Sequence, residues 1–203
     1  MRVGFRLLAV CVALLAAASS YGAGSREAAA LVEEGIRLFD SGKQSDALKV
    51  FQRAAQLGDA DAMYRVGSQF YRGAGVSGSY GLARRWFIEA AKRGDTNAMT
   101  ALGGMFAAGQ GVDKNPVFAL NWYGAAAKRG NTAAMFKIGY MFESGQARTQ
   151  DFDVARKWYA EAAARGSAEA YVALGHLASN GLGRSPERCV AEEYWRKALR
   201  TDP

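Results

Sequence analysis

The side chains that could carry out acid–base or nucleophilic chemistry are few in this chain. His176 is the only histidine, so a histidine-based relay or metal site has little to draw on. Cys189 stands near the start of the last predicted helix, a place where a thiolate can be favoured. Because no enzyme signature surrounds either residue, we interpret His176 as a polar surface residue and Cys189 as a buried or half-buried bystander.

Two other patterns resemble binding sites only superficially. Asp151 and Asp153 lack the spacing of a calcium loop, and they are better interpreted as a helix N-cap and a first-turn charge. The glycines of 103–104 and 109–111 follow no predicted strand and precede no Gly-Lys-Ser/Thr, so they indicate turns rather than a phosphate loop. The sequence therefore predicts no catalytic residues, no metal site and no cofactor.

The elements that must position these residues repeat every 36 residues. The period is clearest in a glycine that returns at Gly58, Gly94, Gly130 and Gly166. Glycine stands again nine and fifteen residues after each copy, and two adjacent aromatic residues follow twenty-eight and twenty-nine residues after it. A fixed period of roughly 20 to 50 residues indicates stacked supersecondary units, so the sequence predicts a solenoid.

Each unit is predicted to contain two helices joined by a glycine-bearing loop. In the first helix, Ala62, Val66 and Phe70 follow helical spacing, and the second helix is predicted from about Tyr80 to Arg93. Gly67 lies inside the first helix, where glycine costs roughly 1 kcal/mol against alanine. We therefore predict that Gly67 and its equivalents allow two helices to pack closely.

The predicted helix ends carry residues that helix termini prefer. Asp95, Asn131 and Ser167 are placed to cap the first helices of three units. Gly73 and its equivalents suit the left-handed residue that ends a helix. The aromatic pair Trp86-Phe87 and its equivalents are predicted to fill the space between neighbouring units.

The first residues have the character of a targeting segment. Arg2 and Arg6 precede an apolar run from Leu7 to Ala18, which is too short to span a bilayer comfortably. Cleavage is predicted near Ser20 to Ala23, which would place the protein in the periplasm or outside a bacterial cell. An uncleaved anchor and a lipid attached at Cys11 are the alternatives.

The predicted domains follow from this leader and from the period. A signal peptide covers residues 1–23, a helix pair covers 24–57, and four repeats cover 58–203 (58–93, 94–129, 130–165 and 166–201). The formal charge of +7 falls to +5 without Arg2 and Arg6. This excess permits an acidic partner or an anionic surface but does not indicate nucleic acid. Cys189 is the only cysteine beyond the leader, so no internal disulfide is expected.

The repeated units resemble a known family. In the second unit the matching residues are Ala98, Leu102-Gly103, Phe106, Gly109, Gly111-Val112, Ala119, Trp122-Tyr123, Ala126-Ala127 and Gly130. Their pattern is similar to that of Sel1-like repeats, a subfamily of the tetratricopeptide superfamily, over about residues 58 to 201. The upstream helix pair resembles a tetratricopeptide unit through Gly35, Phe39, Gly42, Ala47, Phe51 and Ala54.

A few residues depart from the family pattern near the C-terminal end. Ala147 and Arg148 replace Gly-Val in the third loop, and Ala178 replaces an aromatic residue in the fourth unit. Tyr194-Trp195 reverses the usual aromatic order. These departures concern loop geometry and leave the expected architecture unchanged.

The resemblance implies an all-α fold, a right-handed α-solenoid of stacked antiparallel helix pairs with one tetratricopeptide-like unit and four Sel1-like repeats. It also implies a non-enzymatic scaffold or adaptor in the bacterial cell envelope, which binds a protein or peptide in a concave groove. The alternatives are an immunity-type inhibitor of a secreted effector enzyme and a weak hydrolase acting on β-lactams or cell-wall material. Relatives associated with β-lactams carry a cysteine pair in each repeat, which this chain does not.

The groove is expected to be lined by the first helices. Helical phase then selects positions three, six, ten, thirteen and fourteen residues after each repeat glycine. The predicted groove residues are Tyr64, Ser68, Tyr71, Arg72, Thr100, Phe136, Tyr140, Glu143, His176 and Asn180. Among them, the four aromatic residues are predicted to face solvent and to contact the partner, since tyrosine and arginine dominate binding hot spots. The alternative is that some of these rings pack against the neighbouring unit.

Overall fold

The computed structural model describes residues 24–146, 148–183 and 187–201. The predicted signal peptide and its cleavage site near Ser20 to Ala23 lie outside the described residues, as does Ala147. Every regular element among the described residues is an α-helix, which confirms the all-α prediction. The helices are α1 (24–40), α2 (Gln44–Gln56), α3 (Ala60–Arg72), α4 (Tyr80–Lys92), α5 (Thr96–Ala108), α6 (Pro116–Ala127), α7 (Thr132–Ser144), α8 (Phe152–Ala164), α9 (Ala168–Ser179) and α10 (Arg188–Thr201).

The described residues form two compact units that divide between Asp95 and Thr96. Helices α1 to α4 belong to the first unit, and α5 to α10 belong to the second. The predicted helix pairs are present, because α3 packs on α4, α5 on α6, α7 on α8, and α9 on α10. Neighbouring helix pairs also pack on one another. In the first unit α2 contacts α3, and in the second unit α6 contacts α7 and α8 contacts α9. The predicted stacking of helix pairs is therefore confirmed within each unit.

Several predicted helix caps are present. The side chains of Asn131, Asp151 and Ser167 each accept a hydrogen bond from the backbone N–H three residues later, at 2.8, 2.9 and 3.2 Å. These bonds satisfy N–H groups that the first helical turn leaves without a partner. The helix-cap interpretation of Asp151 is thereby confirmed. Gly73 and Gly145 end α3 and α7 in the left-handed conformation, as predicted.

The glycine that defines the period also has a conformational reason to recur. Gly58, Gly94, Gly130 and Gly166 have φ values of 93°, 92°, 88° and 89°. A residue with a β-carbon is strained at such angles, whereas glycine is not. The period therefore records a backbone requirement at the turn that leads from one helix pair into the next.

A second glycine, inside each first helix, lies directly against an aromatic ring of the second helix. A β-carbon built on Gly67 would lie 2.7 Å from a ring carbon of Phe87. The equivalent contacts are Gly35–Phe51, Gly103–Tyr123, Gly139–Tyr159 and Gly175–Trp195. The prediction that these glycines allow close packing is confirmed.

The two adjacent aromatic residues of α4 pack in different places, which differs from the prediction. Phe87 is buried within its own helix pair, against Gly67. Its neighbour Trp86 packs against a core cluster that includes Leu48 and Phe51 of the preceding helix α2. Consecutive helical residues point about 100° apart, so the two rings leave α4 in different directions. The prediction that both rings fill the space between units was therefore wrong for Phe87.

Candidate functional site

The predicted groove residues divide between the two units. Tyr64, Ser68, Tyr71 and Arg72 lie on α3 in the first unit, whereas the other six lie in the second unit. Thr100 is on α5, and α7 carries three residues: Phe136, Tyr140 and Glu143. His176 is on α9, and Asn180 caps its C-terminal end. Each unit therefore carries its own set of predicted groove residues.

Three of the four predicted groove rings are half-buried rather than solvent-facing. Tyr64 lies against Phe87, with ring centroids 5.8 Å apart, and Tyr71 contacts Tyr80 at 5.3 Å. In the second unit, Phe136 lies against the Tyr159 ring at 5.4 Å. The helical phase of these residues turns their rings toward the second helix of their own pair, where the helix-interior glycine leaves room. The prediction that they face solvent was wrong for Tyr64, Tyr71 and Phe136.

Tyr140 is the groove aromatic that does face solvent. Its side chain is 47% exposed on α7. Burial of such a ring against a partner removes a large apolar area from water, and its hydroxyl can still find a hydrogen bond. Tyr140 is therefore the residue of the predicted aromatic set that is available for contact.

Two predicted groove residues make hydrogen bonds within the fold. The Thr100 hydroxyl donates to the carbonyl of Thr96 at 2.8 Å. The hydroxyl of Tyr159 donates to Glu143 Oε2 at 2.5 Å. Burial is the largest cause, and the bond to Glu143 the next, of a pKa for Tyr159 well above its ordinary value of 10.0. Glu143 thus serves as the polar partner of a buried phenol.

His176 and Cys189 are the two residues that the sequence offered as candidates for catalysis. His176 is exposed, and its ring approaches that of Trp195 edge-on at 6.0 Å. Cys189 is exposed on the first turn of α10, so the expectation that it is buried or half-buried was wrong. Among the described residues, no group of three or more His, Cys, Asp or Glu side chains could hold a metal ion.

The first unit contains a cavity of about 200 Å³ on the α3 surface. Its walls come from three helices and a loop, and they consist of Phe39, Phe51, Tyr64, Arg65, Ser68, Gln69, Arg72 and Ala74. Sequence reasoning had identified Tyr64, Ser68 and Arg72 as neighbours on one face. It missed Phe39 and Phe51, which belong to α1 and α2.

Gln69 is the unusual residue of this cavity. It is 2% exposed, and the same column of the later repeats holds Met105, Met141 and Leu177, which are also buried. Its Nε2 donates to the carbonyls of Gln44 at 2.8 Å and Ala74 at 3.2 Å, whereas its buried Oε1 has no hydrogen-bond partner. A polar side chain in an otherwise apolar repeat column was the signal that could have revealed this site.

The loop beside the cavity is held firmly against α2. Ser45 Oγ donates to the carbonyl of Gly75 at 2.8 Å. A β-carbon at Gly75 would collide with the backbone of Gln44 and Ser45. Together with the two Gln69 bonds, these contacts fix one wall of the cavity before any ligand arrives.

The cavity rim is positively charged. Arg65 Nε donates to Asp61 at 2.7 Å, and its guanidinium lies 5.6 Å from the centroid of the Phe51 ring. Arg72 is exposed at the C-terminal end of α3, and in the described part of the chain it has no acidic partner. The surface therefore combines aromatic walls with a buried acceptor and an arginine that have no partner among the described residues.

The fold defines a repeat protein of the α-solenoid class. A family model for the Sel1 repeat matches residues 60–95, 96–131, 132–167 and 168–200. The chain belongs to the Sel1 repeat family.

Solved structures agree with this assignment. A Sel1 repeat protein from Oxalobacter formigenes matches with a TM-score of 0.78 and 29% identity, over 87% of this chain and 74% of that chain. A protective antigen of uropathogenic Escherichia coli with an SLR fold matches with a TM-score of 0.71 and 27% identity, over 85% of this chain. This match spans 38% of the antigen's length. A Klebsiella pneumoniae protein shares the fold at 19% identity and a TM-score of 0.61, over 90% of each chain. The comparison with curated proteins found no match.

Proposed function

We propose that this Sel1 repeat protein is a non-enzymatic adaptor or scaffold that binds a partner protein or peptide with its first-helix faces. The Sel1 repeat is typical of protein–protein interaction. The observation that supports the proposal most directly is Tyr140, a large ring left 47% exposed on a first helix while the neighbouring Phe136 is used for packing. Exposed aromatic residues beside polar ones are what interfaces use as anchors.

Substitution of Tyr140 tests this function. Affinity capture from an envelope extract of the native host should recover a partner with the unchanged protein, and Tyr140→Ala should reduce recovery at least tenfold, as loss of a hot-spot residue does at about 1.4 kcal/mol or more. The melting temperature should stay within a few degrees, because the side chain is already 47% exposed in the folded protein. Val117→Ala on α6 is the control, since Val117 is 55% exposed but belongs to a second helix.

The captured partner also decides the role. Several envelope proteins in the eluate would support a scaffold. One enzyme whose activity is lost at equal molar amounts of this protein would support an inhibitor instead. Failure to capture any protein, or equal capture by Tyr140→Ala, would contradict the proposal.

We further propose that the protein acts in the periplasm or outside the cell. The support is the leader pattern of residues 1–23, with its two arginines, apolar run and small residues. Among residues 24–146, 148–183 and 187–201, no helix is long and apolar enough to cross a membrane. Cell fractionation should recover a protein shortened by about twenty residues in the periplasm or medium. Recovery of the full-length chain in the membrane fraction would show an uncleaved anchor.

A further inference from the structure

We propose that the α3 cavity of the first unit is a specific subsite for an acidic peptide, in which a large apolar side chain enters the cavity and a neighbouring carboxylate meets Arg72. The inference rests on the proposed function and names the chemistry that one of its surfaces recognises. It is carried by Gln69, by the size of the cavity and by the charge on its rim.

Gln69 carries more polarity than the fold requires. Its amide nitrogen has a structural purpose, since it ties the 73–78 loop to the start of α2 through Ala74 and Gln44. Its amide oxygen has none, although it is buried and unpaired. A buried unpaired acceptor has a cost in stability, which is why native proteins almost always pair such atoms. The two later repeats that place methionine in this column fold without that cost.

A donor from a ligand would complete the bonding of Gln69. Gln69 forms part of the cavity wall, and a small turn of its side chain toward an incoming N–H or O–H would give the buried oxygen a partner. The backbone N–H of an extended peptide supplies such a donor at every residue except proline. An unsatisfied acceptor therefore favours a peptide over a purely apolar occupant.

The size of the cavity limits what can enter. Pockets for drug-sized molecules and cofactors usually measure about 300–1,000 Å³. The α3 cavity, at about 200 Å³, is smaller and suits a single large side chain. Phe39, Phe51 and Tyr64 give it apolar walls, so the side chain that enters should be aromatic or aliphatic.

The rim charge selects the residue beside that side chain. Arg65 is already neutralised in part by Asp61 and is held over the Phe51 ring. Arg72 has no such partner in the described residues, and its guanidinium can bind a carboxylate in a two-pronged arrangement. Because Arg72 lies at the cavity rim, the carboxylate that it binds should follow directly after the side chain that enters the cavity. The expected peptide motif is therefore an apolar residue followed by an acidic one.

Short peptides can test this motif directly. The probe is acetyl-Gly-Phe-Glu-Gly-amide, titrated into the purified ¹⁵N-labelled protein and followed by amide chemical shifts. We expect saturable shifts in residues 39–74, including the side-chain amide of Gln69. Replacing Glu by Gln in the peptide should weaken binding about fivefold, as loss of an exposed ion pair of about 1 kcal/mol predicts. Replacing Phe by Gly should weaken it at least tenfold, because about 1.5–3 kcal/mol of apolar burial is lost.

Protein variants separate the two contacts. Arg72→Gln should bind the Glu and Gln peptides equally, and Arg85→Gln, an exposed arginine on α4, is the control that should behave like the unchanged protein. Gln69→Met, which copies the later repeats, should weaken every Phe-containing peptide about fivefold through loss of one hydrogen bond. Since Arg72 is exposed, its variant keeps the test valid even if Gln69→Met disturbs the loop.

Three outcomes would overturn the inference. They are the absence of shifts at millimolar peptide, shifts that cluster outside residues 39–74, and equal affinity for peptides with Glu, Gln or Lys. In any of these cases, the affinity capture can still recover a partner in a way that depends on Tyr140. That result would contradict this subsite alone and leave the proposed function intact. Loss of that capture would instead contradict the proposed function.

Discussion

Replacing Gly139 by alanine is expected to destabilise the second unit by about 2 kcal/mol, although alanine is the better helix former. The new methyl group would lie 2.6 Å from a carbon of the Tyr159 ring, closer than a real carbon pair can approach. Tyr159 cannot move aside easily, because it is fully buried and its hydroxyl is bonded to Glu143. Overpacking of this kind costs about 1–3 kcal/mol or more, which outweighs a helix-propensity gain of about 1 kcal/mol.

Gly124 on α6 provides the matched control. It is also a glycine in a helix of the second unit, but a β-carbon built on it meets no heavy atom within 4 Å. Gly124→Ala should therefore stabilise the protein by about 0.5–1 kcal/mol through propensity alone. Urea unfolding of the two variants should give changes of opposite sign. Stabilisation by both would show that the helix-interior glycine is not a packing requirement.

The same glycine shows how far sequence reasoning reaches in this fold. A residue that costs helix stability and yet recurs in every unit must have a packing reason, and Gly67 and Gly139 were predicted on that argument. Which ring they face was not predictable, because Trp86 and Phe87 are adjacent and both apolar. In the structure Phe87 lies against Gly67 of its own pair, whereas Trp86 packs against a cluster that includes residues of α2.

The candidate site was predictable in outline but not in detail. Helical phase found the right face of α3, so Tyr64, Ser68 and Arg72 do line one cavity. Phase gives only the direction in which a side chain leaves its own helix. The exposure of a side chain also depends on the neighbouring helix, and for this reason Tyr64 is half-buried whereas Tyr140 is exposed to solvent. Phe39 lies in a different helix pair, so no pattern within one repeat could have joined it to α3.

Gln69 shows that comparison between repeats holds further information. Its column is buried in every Sel1 repeat, which makes any polar residue there an exception that needs a reason. Position alone indicated a buried core residue. Only the three-dimensional arrangement shows that one half of its amide ties the loop to α2 while the other half is left without a partner.

Tyr159 should make the stability of the protein fall at alkaline pH. Its folded-state pKa is raised above the ordinary value of 10.0, first by burial and then by the bond to Glu143. A raised pKa contributes stability that is fully present below the unfolded-state pKa, near 10. Above that pH the unfolded chain loses the phenolic proton while the folded chain keeps it. The free energy of unfolding should therefore decrease by about 1.4 kcal/mol per pH unit above pH ~10 through this residue.

Tyr159→Phe isolates this contribution. At pH 8 the variant should be less stable by about 1.5 kcal/mol, because the Glu143 carboxylate loses its donor. Since phenylalanine has no proton to lose, the difference should shrink above pH ~10 and vanish within one to two pH units, so that the two stability curves meet. Urea unfolding at intervals from pH 8 to pH 11.5 measures both curves, with Tyr80→Phe as a control, since Tyr80 is 42% exposed and lies in the other unit. A constant difference across this range would mean that the Tyr159 hydroxyl is ionised as readily in the folded protein as in the unfolded chain.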